Sequence, residues 1–212
     1  MKIVDFGIPI AAGILATAIQ VNGQQTAPVP KGEPPLCKPM HRESPDRHWV
    51  LTSDAATCRC FGKESKAYNM PCRNGFALTL LDQRTRQTRQ IDFDGYAGNA
   101  EWSPDSSVFF VNVSVVSNEG DAFLVRADSL QKVDLRTVIP QFDSSLSRYL
   151  GDHSYFIVRK WVGEGAALVQ VCGHISERRW VQFDFRYRVA LDGRISSASK
   201  GMGSRHLECT YP

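Results

Sequence analysis

Six cysteines, Cys37, Cys58, Cys60, Cys72, Cys172 and Cys209, are the residues of this 212-residue chain with the most chemistry to offer. An even number of thiols behind an export signal forms disulfides, whereas a cytosolic chain more often uses them for metal or redox work. Six cysteines allow fifteen pairings, and spacing alone does not choose among them. If Cys58 and Cys60 lie on one strand they project to the same face, too constrained to bond each other. One of them is expected to meet Cys72, Cys172 to meet Cys209, and Cys37 to take the remaining member of the pair. A zinc site from Cys58, Cys60, Cys72 and a histidine is the rival reading, but C-x-C with a distant lone cysteine lacks the paired C-x-x-C spacing of zinc proteins.

The other titratable residues do not presort into a site. His41, His48, His153, His174 and His206 are scattered, and none has a second ligand at helix or strand spacing. Glu101 and Asp105 flank Trp102 as a glycosidase carboxylate pair would, yet Asp105 follows Pro104 where a turn needs a carboxylate to accept backbone N–H groups. Trp102, Pro104 and Asp105 are therefore read as a structural turn. The sequence contains no nucleophile elbow G-x-S-x-G, zincin H-E-x-x-H, phosphate loop, dinucleotide G-x-G-x-x-G or EF-hand loop. No cofactor is expected. Arg84, Arg86 and Arg89, with Arg178, Arg179, Arg186 and Arg188, fall on the polar faces of two strands and make one basic patch if those faces adjoin, a surface suited to an acidic partner. The plainer reading is a solvated sheet face that discourages aggregation. Asn112-Val113-Ser114 fits the glycosylation sequon, but its place inside a strand argues against its use.

The elements that must position these residues are mainly strands. From Arg179 to Leu191, Val181, Phe183, Phe185, Tyr187, Val189 and Leu191 share one face while Gln182, Asp184, Arg186 and Arg188 share the other, a long half-buried antiparallel strand ended by Asp192-Gly193. Phe76, Leu78 and Leu80 mark a second strand, and residues 86–93 a third, joined to it through Asp82-Gln83-Arg84-Thr85. Further strands are expected at His48 to Ser53, Val108 to Val116, Ala122 to Arg126, Tyr155 to Val162 and Ala166 to His174, punctuated by Gly, Asn, Asp and Ser as antiparallel meanders are. One-sided alternation assigns Trp102, Phe109, Val111, Phe183 and Phe185 to a single core. Leu135, Val138, Ile139, Phe142, Leu146, Tyr149 and Leu150 recur at helical spacing, but Pro140 interrupts them, so a short helix near 140–150 is expected to begin at Pro140 and stop at Gly151. Its apolar stripe is read as packing rather than as a partner face.

Composition fits one soluble folded domain. Hydrophobic residues make up 42% and charged residues 22%, which excludes a disordered chain, collagen, a coiled coil and a polytopic membrane protein. Lys+Arg 25 against Asp+Glu 22 leaves a formal charge of +3, far from the concentrated basicity of a nucleic-acid binder. Gly7 to Val21 has only Thr17 and Gln20 as polar side chains; at about 15 residues it is shorter than the roughly 20 that span a bilayer, and reads as the core of a signal peptide. Residues 1–23 are assigned to that peptide, 24–45 to a proline-rich linker, and 46–212 to a single β-rich domain. The chain is expected to be secreted or periplasmic, with no stable membrane span after cleavage.

Asn99-Ala100-Glu101-Trp102-Ser103-Pro104-Asp105-Ser106, the apolar strand Val108-Phe109-Phe110-Val111 and the segment Asp121 to Asp128 together resemble the β-propeller repeat of TolB-type proteins. In that repeat a strand ending in Trp-Ser-Pro-Asp turns tightly into a hydrophobic strand, then a third and a fourth. The resemblance runs from Gly98 to Leu135; Ser106 stands where the repeat usually has glycine, and Trp-Ser-Pro-Asp occurs once. Beyond leader and linker the chain has room for at most about four blades of about 42 residues, so a closed propeller is barely attainable. The expected fold is all-β and mainly antiparallel, with propeller-like stacked blades and one short helix, a β-sandwich being the alternative. The expected function is that of an exported non-enzymatic protein presenting a binding surface to a protein or cell-envelope partner. A secreted inhibitor or immunity protein, and a hydrolase whose site collects His153 or His174 with an acid among loops, are the alternatives.

Overall fold

Period-two alternation of β-branched and aromatic residues builds a chain of antiparallel meanders. The computed structural model describes residues 40–53, 59–61, 73–116, 119–151, 153–163, 165–175, 178–203 and 209; the expected signal peptide, most of the linker, Cys37, Cys58, Cys72 and His206 lie outside them. The first meander comprises β1 (Met40–Glu43), β2 (Trp49–Ser53), β3 (Arg59–Phe61), β4 (Arg73–Asp82) and β5 (Thr88–Asp94). Here β2 and β3 pair with successive stretches of one edge of β4, β5 with the other, and β1 with β2, so the unit is four strands wide. The end of the segment read as linker thus supplies an edge strand.

The second meander is β6 (Tyr96–Trp102), β7 (Val108–Val116), β8 (Glu119–Arg126) and β9 (Lys132–Asp134), again four antiparallel strands in sequence order. The third is β10 (Ser154–Val162), β11 (Ala166–Ile175), β12 (Arg178–Ala190) and β13 (Ile195–Gly203). A two-residue parallel contact, Ser154 opposite Glu119 and Tyr155 opposite Gly120, joins β10 to β8. We refer to the three meanders as blades 1, 2 and 3.

The single core expected from the sequence is two cores, because β7 is apolar on both faces. Phe109, Val111 and Val113 face blade 1 and pack with Trp102, Leu51, Phe76, Leu78, Leu80, Ile91 and Phe93. Val108 and Phe110 face the other way, toward Phe156, Val158, Val169, Val171, Phe183 and Phe185 of blade 3. Blade 2 is therefore covered on both sides, which is why its central strand reads as a continuous apolar run.

The helix also departs from expectation. It is α1, Leu135–Phe142, and Pro140 lies inside it rather than at its start. Asp134 caps the N-terminus, accepting from Arg136 N–H at 2.9 Å and from the Thr137 hydroxyl at 2.8 Å, so the helix begins where the cap is. Proline donates no hydrogen bond to the carbonyl four residues back, and the helix ends two residues later with Asp143 N–H on Ile139 O. A 3₁₀ turn, Ser144–Arg148, follows and drives Leu146 into the same core as Leu135 and Ile139. Phe142, at the end of α1, is 51% exposed.

Candidate functional site

The Trp-Ser-Pro-Asp turn between β6 and β7 is built by one serine and one aspartate. Ser103 N–H donates to Val108 O and Ser106 N–H to Ser103 O; Ser103 Oγ donates to Asp105 Oδ1 at 2.6 Å and accepts Val108 N–H at 3.1 Å, and Asp105 Oδ1 accepts Ser107 N–H. Burial pushes the Asp105 carboxyl up, but the bonds from Ser103 and Ser107 outweigh it and leave the group below its ordinary value. Trp102 is buried, edge-on to Phe109, with its indole N–H on Arg42 O at 3.1 Å.

The same turn recurs in blade 1, between β1 and β2, at Ser44-Pro45-Asp46-Arg47. Ser44 N–H donates to Trp49 O and Arg47 N–H to Ser44 O; Ser44 Oγ donates to Asp46 Oδ1 at 2.6 Å and accepts Trp49 N–H at 2.9 Å, and Asp46 Oδ1 accepts His48 N–H. Arg47 (φ 57°) and Ser106 (φ 63°) occupy the same left-handed position, which explains why glycine is usual there. The two turns also touch, Asp46 N–H donating to Ser106 Oγ at 3.0 Å.

The arginines are not brought together. Arg84 and Arg86 lie exposed in the turn from β4 to β5. Arg89 faces inward, donating to the carbonyls of Ala127 and Asp128 and standing over the Trp49 ring. Arg186 and Arg188 are on blade 3, with blade 2 intervening. Of the cysteines, Cys172 on β11 is bonded to Cys209, 37 residues on, and Cys60 lies on β3. Asn112, the sequon asparagine, is wholly buried; its amide donates to Val158 O and Asn99 Oδ1 and accepts Val158 N–H, so the folded chain offers nothing there to glycosylate. His48 pairs with Asp82 at 3.1 Å. His153 and His174 meet edge-to-face, 5.7 Å apart, and among the described residues the buried His174 Nδ1 finds no hydrogen-bond partner. Glu101 is exposed.

One cluster looks catalytic at first sight. Lys200 Nζ is 3.3 Å from Ser145 Oγ, the combination of a lysine base and a serine nucleophile. Here, however, lysine donates to serine, Ser145 donates to Asp143 Oδ1, Tyr187 donates to Asp143 Oδ2 at 2.9 Å, and Lys200 lies 2.5 Å from that same oxygen. Burial raises the Asp143 carboxyl, but the bonds from Lys200, Ser145 and Tyr187 outweigh it and hold it at about 2; burial, then Asp143, pushes the Tyr187 hydroxyl far up. The cluster fastens the residue joining α1 and the 3₁₀ turn onto β12 and β13.

The concavity with binding chemistry is a cleft of about 420 Å³ between the outer strands of blades 1 and 2, lined by Asp92, Phe93, Asp94, Val115, Asp121, Phe123 and Lys132. Alternation along β5 sends Phe93 to the floor, stacked on Phe76 and tilted against Phe123, and leaves Asp92 and Asp94 at the rim. Lys132 stands 5.1 Å over the Phe93 ring and donates to Asp92 O. Asp121 is ion-paired with Arg136, which also donates to Ser154 Oγ and to the carbonyls of Ser154 and Gly120. With Asp121 neutralised by Arg136, Asp92 and Asp94 at the rim of an aromatic floor suit a cationic, partly apolar ligand, which would share the Phe93 face with Lys132. Among the described lining residues there is no serine, threonine, histidine or cysteine. Among the described residues no group of three or more His, Cys, Asp or Glu converges on a metal position, and no helix is long and apolar enough to cross a membrane. The cleft draws on four strands of two blades, and no linear pattern in the sequence announces it.

No family model matches the chain, and no curated protein is significantly similar to it. Among solved structures, it is similar to the β-propeller domain of the Trilobed protease from Pyrococcus furiosus, with 12% identity and a TM-score of 0.44 over 76% of this chain and 42% of that one. It is similar also to TolB from Acinetobacter baumannii, with 13% identity and a TM-score of 0.39 over 77% of this chain and 32% of that one. The chain thus spans less than half the length of either.

Proposed function

We propose that the chain is an exported, non-catalytic binding module that receives an extended, basic segment of a protein partner, in the cell envelope or outside the cell, along the cleft between blades 1 and 2. The observation that carries this reading is the cleft itself: Asp92 and Asp94 at its rim, Phe93 and Phe123 on its floor, beside β5, which is paired on one edge only among the described residues. An added strand takes main-chain hydrogen bonds from such an edge while alternate side chains enter the groove. The hydrolase alternative has less to draw on, since His153 and His174 contact each other and the Ser145–Lys200 pair is tied up by Asp143. Export rests on the apolar run from Gly7 to Val21; an intact Met1 in protein recovered from its native compartment counts against it.

Fluorescence anisotropy with a labelled peptide of alternating lysine and leucine, beside an acidic control of the same length, tests the binding reading. The basic peptide should bind, with affinity falling about tenfold or more in D92K/D94K and with added salt. Equal binding of both peptides, or an unchanged affinity in the double variant, removes the cleft from consideration.

A further inference from the structure

Among the described residues the last strand of each blade has one unpaired edge, and the three protect it differently. An unpaired edge is a template for another chain, and proteins blunt it with charge, proline, bulges or brevity. In blade 1, β5 carries Arg89, Asp92 and Asp94. In blade 2, β9 has three residues, two of them charged, and runs straight into α1. Blade 3 ends in β13, nine residues of sequence Ile-Ser-Ser-Ala-Ser-Lys-Gly-Met-Gly with one charge. That charge is spent internally: Lys200 points at Asp143 and over the Phe185 ring. Residues 196–200 are all exposed, and among the described residues β13 pairs with β12 alone. Its one irregularity is a bulge between Ser197 and Ser199, leaving Ser199–Gly203 in regular register.

We propose that β13 is a self-association edge, on which a second copy of this chain adds its own β13 antiparallel about a two-fold axis. Such pairing sets the strand against itself, so it needs no complementary partner, only an edge without like charges and with side chains small enough for close approach. Ser196, Ser199 and Gly201 share the face turned away from Phe183 and Phe185, and none of them is charged or large. The result is one sheet running through blade 3 of both copies. A strand edge alone covers less than the roughly 1,000 Å² of a stable interface, so the dimer forms reversibly and with rising concentration.

Sedimentation velocity of the purified chain across a concentration series, with amide hydrogen exchange at the two ends of the series, tests the proposal. The expected result is an apparent mass rising toward twice the monomer's and added protection confined to β13. S196K/S199K puts like charge on the edge of both copies; it should weaken association at least tenfold, while the thermal midpoint of the monomer falls only slightly, since the lysines stand opposite Arg188 and Arg186. D92K, in the cleft, should leave association unaltered, which separates failure of this inference from failure of the binding reading. A chain that stays monomeric into the millimolar range, new protection at β5 instead of β13, or a lysine variant that associates as the parent does overturns it.

Discussion

The junction between blades 1 and 2 and the junction between blades 2 and 3 join the same kind of sheet by different means. The first is stitched at points where repeats meet: the Trp102 indole on Arg42 O, Asp46 N–H on Ser106 Oγ, Arg89 on the carbonyls of Ala127 and Asp128, Lys132 on Asp92 O. The second is wedged. Its core admits α1 and the 3₁₀ turn through Leu135, Ile139 and Leu146, and its polar links include the buried Asn112 clasping Val158, the Arg136 fan over β8 and β10, and the Trp161 indole N–H on Glu101 O. The first junction spreads its polar links over several small bonds, whereas the second, where β8 and β10 also pair directly, concentrates them chiefly in a buried asparagine and a half-buried arginine. Loss of one group should therefore cost more at the second junction.

The largest effects test whether the cores are separate. Phe109→Ala and Phe183→Ala should each cost about 3–5 kcal/mol in denaturant titration, and together their costs should add within about 0.5 kcal/mol, as for independent sites; strong coupling between them breaks the two-junction picture. Removing the Cys172–Cys209 bond with the double Cys→Ala variant should cost about 3–4 kcal/mol for a closed loop of this size, read as a lower thermal midpoint. Asn112→Ala leaves the N–H and C=O of Val158 buried and unpaired and should cost about 2–4 kcal/mol, more than Arg89→Ala at the stitched junction by the same measurement.

Acid distinguishes the junctions more gently. Because the bonds from Lys200, Ser145 and Tyr187 hold Asp143 at about 2 against an ordinary 3.8, its contribution is nearly complete above pH 4 and is lost as pH falls from about 4 to about 2, about 2 kcal/mol in all. In D143N the pH dependence of stability over that window should flatten. The smallest effects compare the two Ser-Pro-Asp turns. Arg47 and Ser106 both hold left-handed backbone, but only Ser106 has a hydroxyl that the other turn uses. Arg47→Gly should stabilise by about 0.5–1 kcal/mol, while Ser106→Gly should gain nothing or lose slightly; equal gains at both positions would show that the turn-to-turn bond contributes nothing.

How much of this is legible in the sequence depends on what each residue answers to. β12 was plain because Phe183, Phe185, Tyr187 and Val189 face a core while Arg186 and Arg188 face water. β13 has no alternation at all; it is a strand because β12 offers an edge, a tertiary cause that no local pattern records. Phe109 and Val111 read as one face of an alternating strand, whereas Val108 and Phe110 between them meet a second core, because this strand is covered on both faces. The second copy of the turn is masked in the sequence because Glu43 stands where the first has Trp102, although Ser44 and Asp46, which make the hydrogen bonds, and Pro45 between them are all present. Pro140 suggested a helix start, but the cap at Asp134 decided it. Arg89 counted as surface because arginines usually are; its planar head instead spans the two carbonyls.

The fully buried position of Cys172 bears on how its disulfide forms and opens. Thiol–disulfide exchange needs a thiolate that an attacking or donor sulfur can reach. In the bond to Cys209 the partner sulfur sits on a half-buried residue, so exchange enters from the chain's end: a thiolate attacks Cys209 and Cys172 leaves as the buried thiol. The bond therefore opens and closes without parting β11 from β10 and β12, and its traffic is controlled at Cys209.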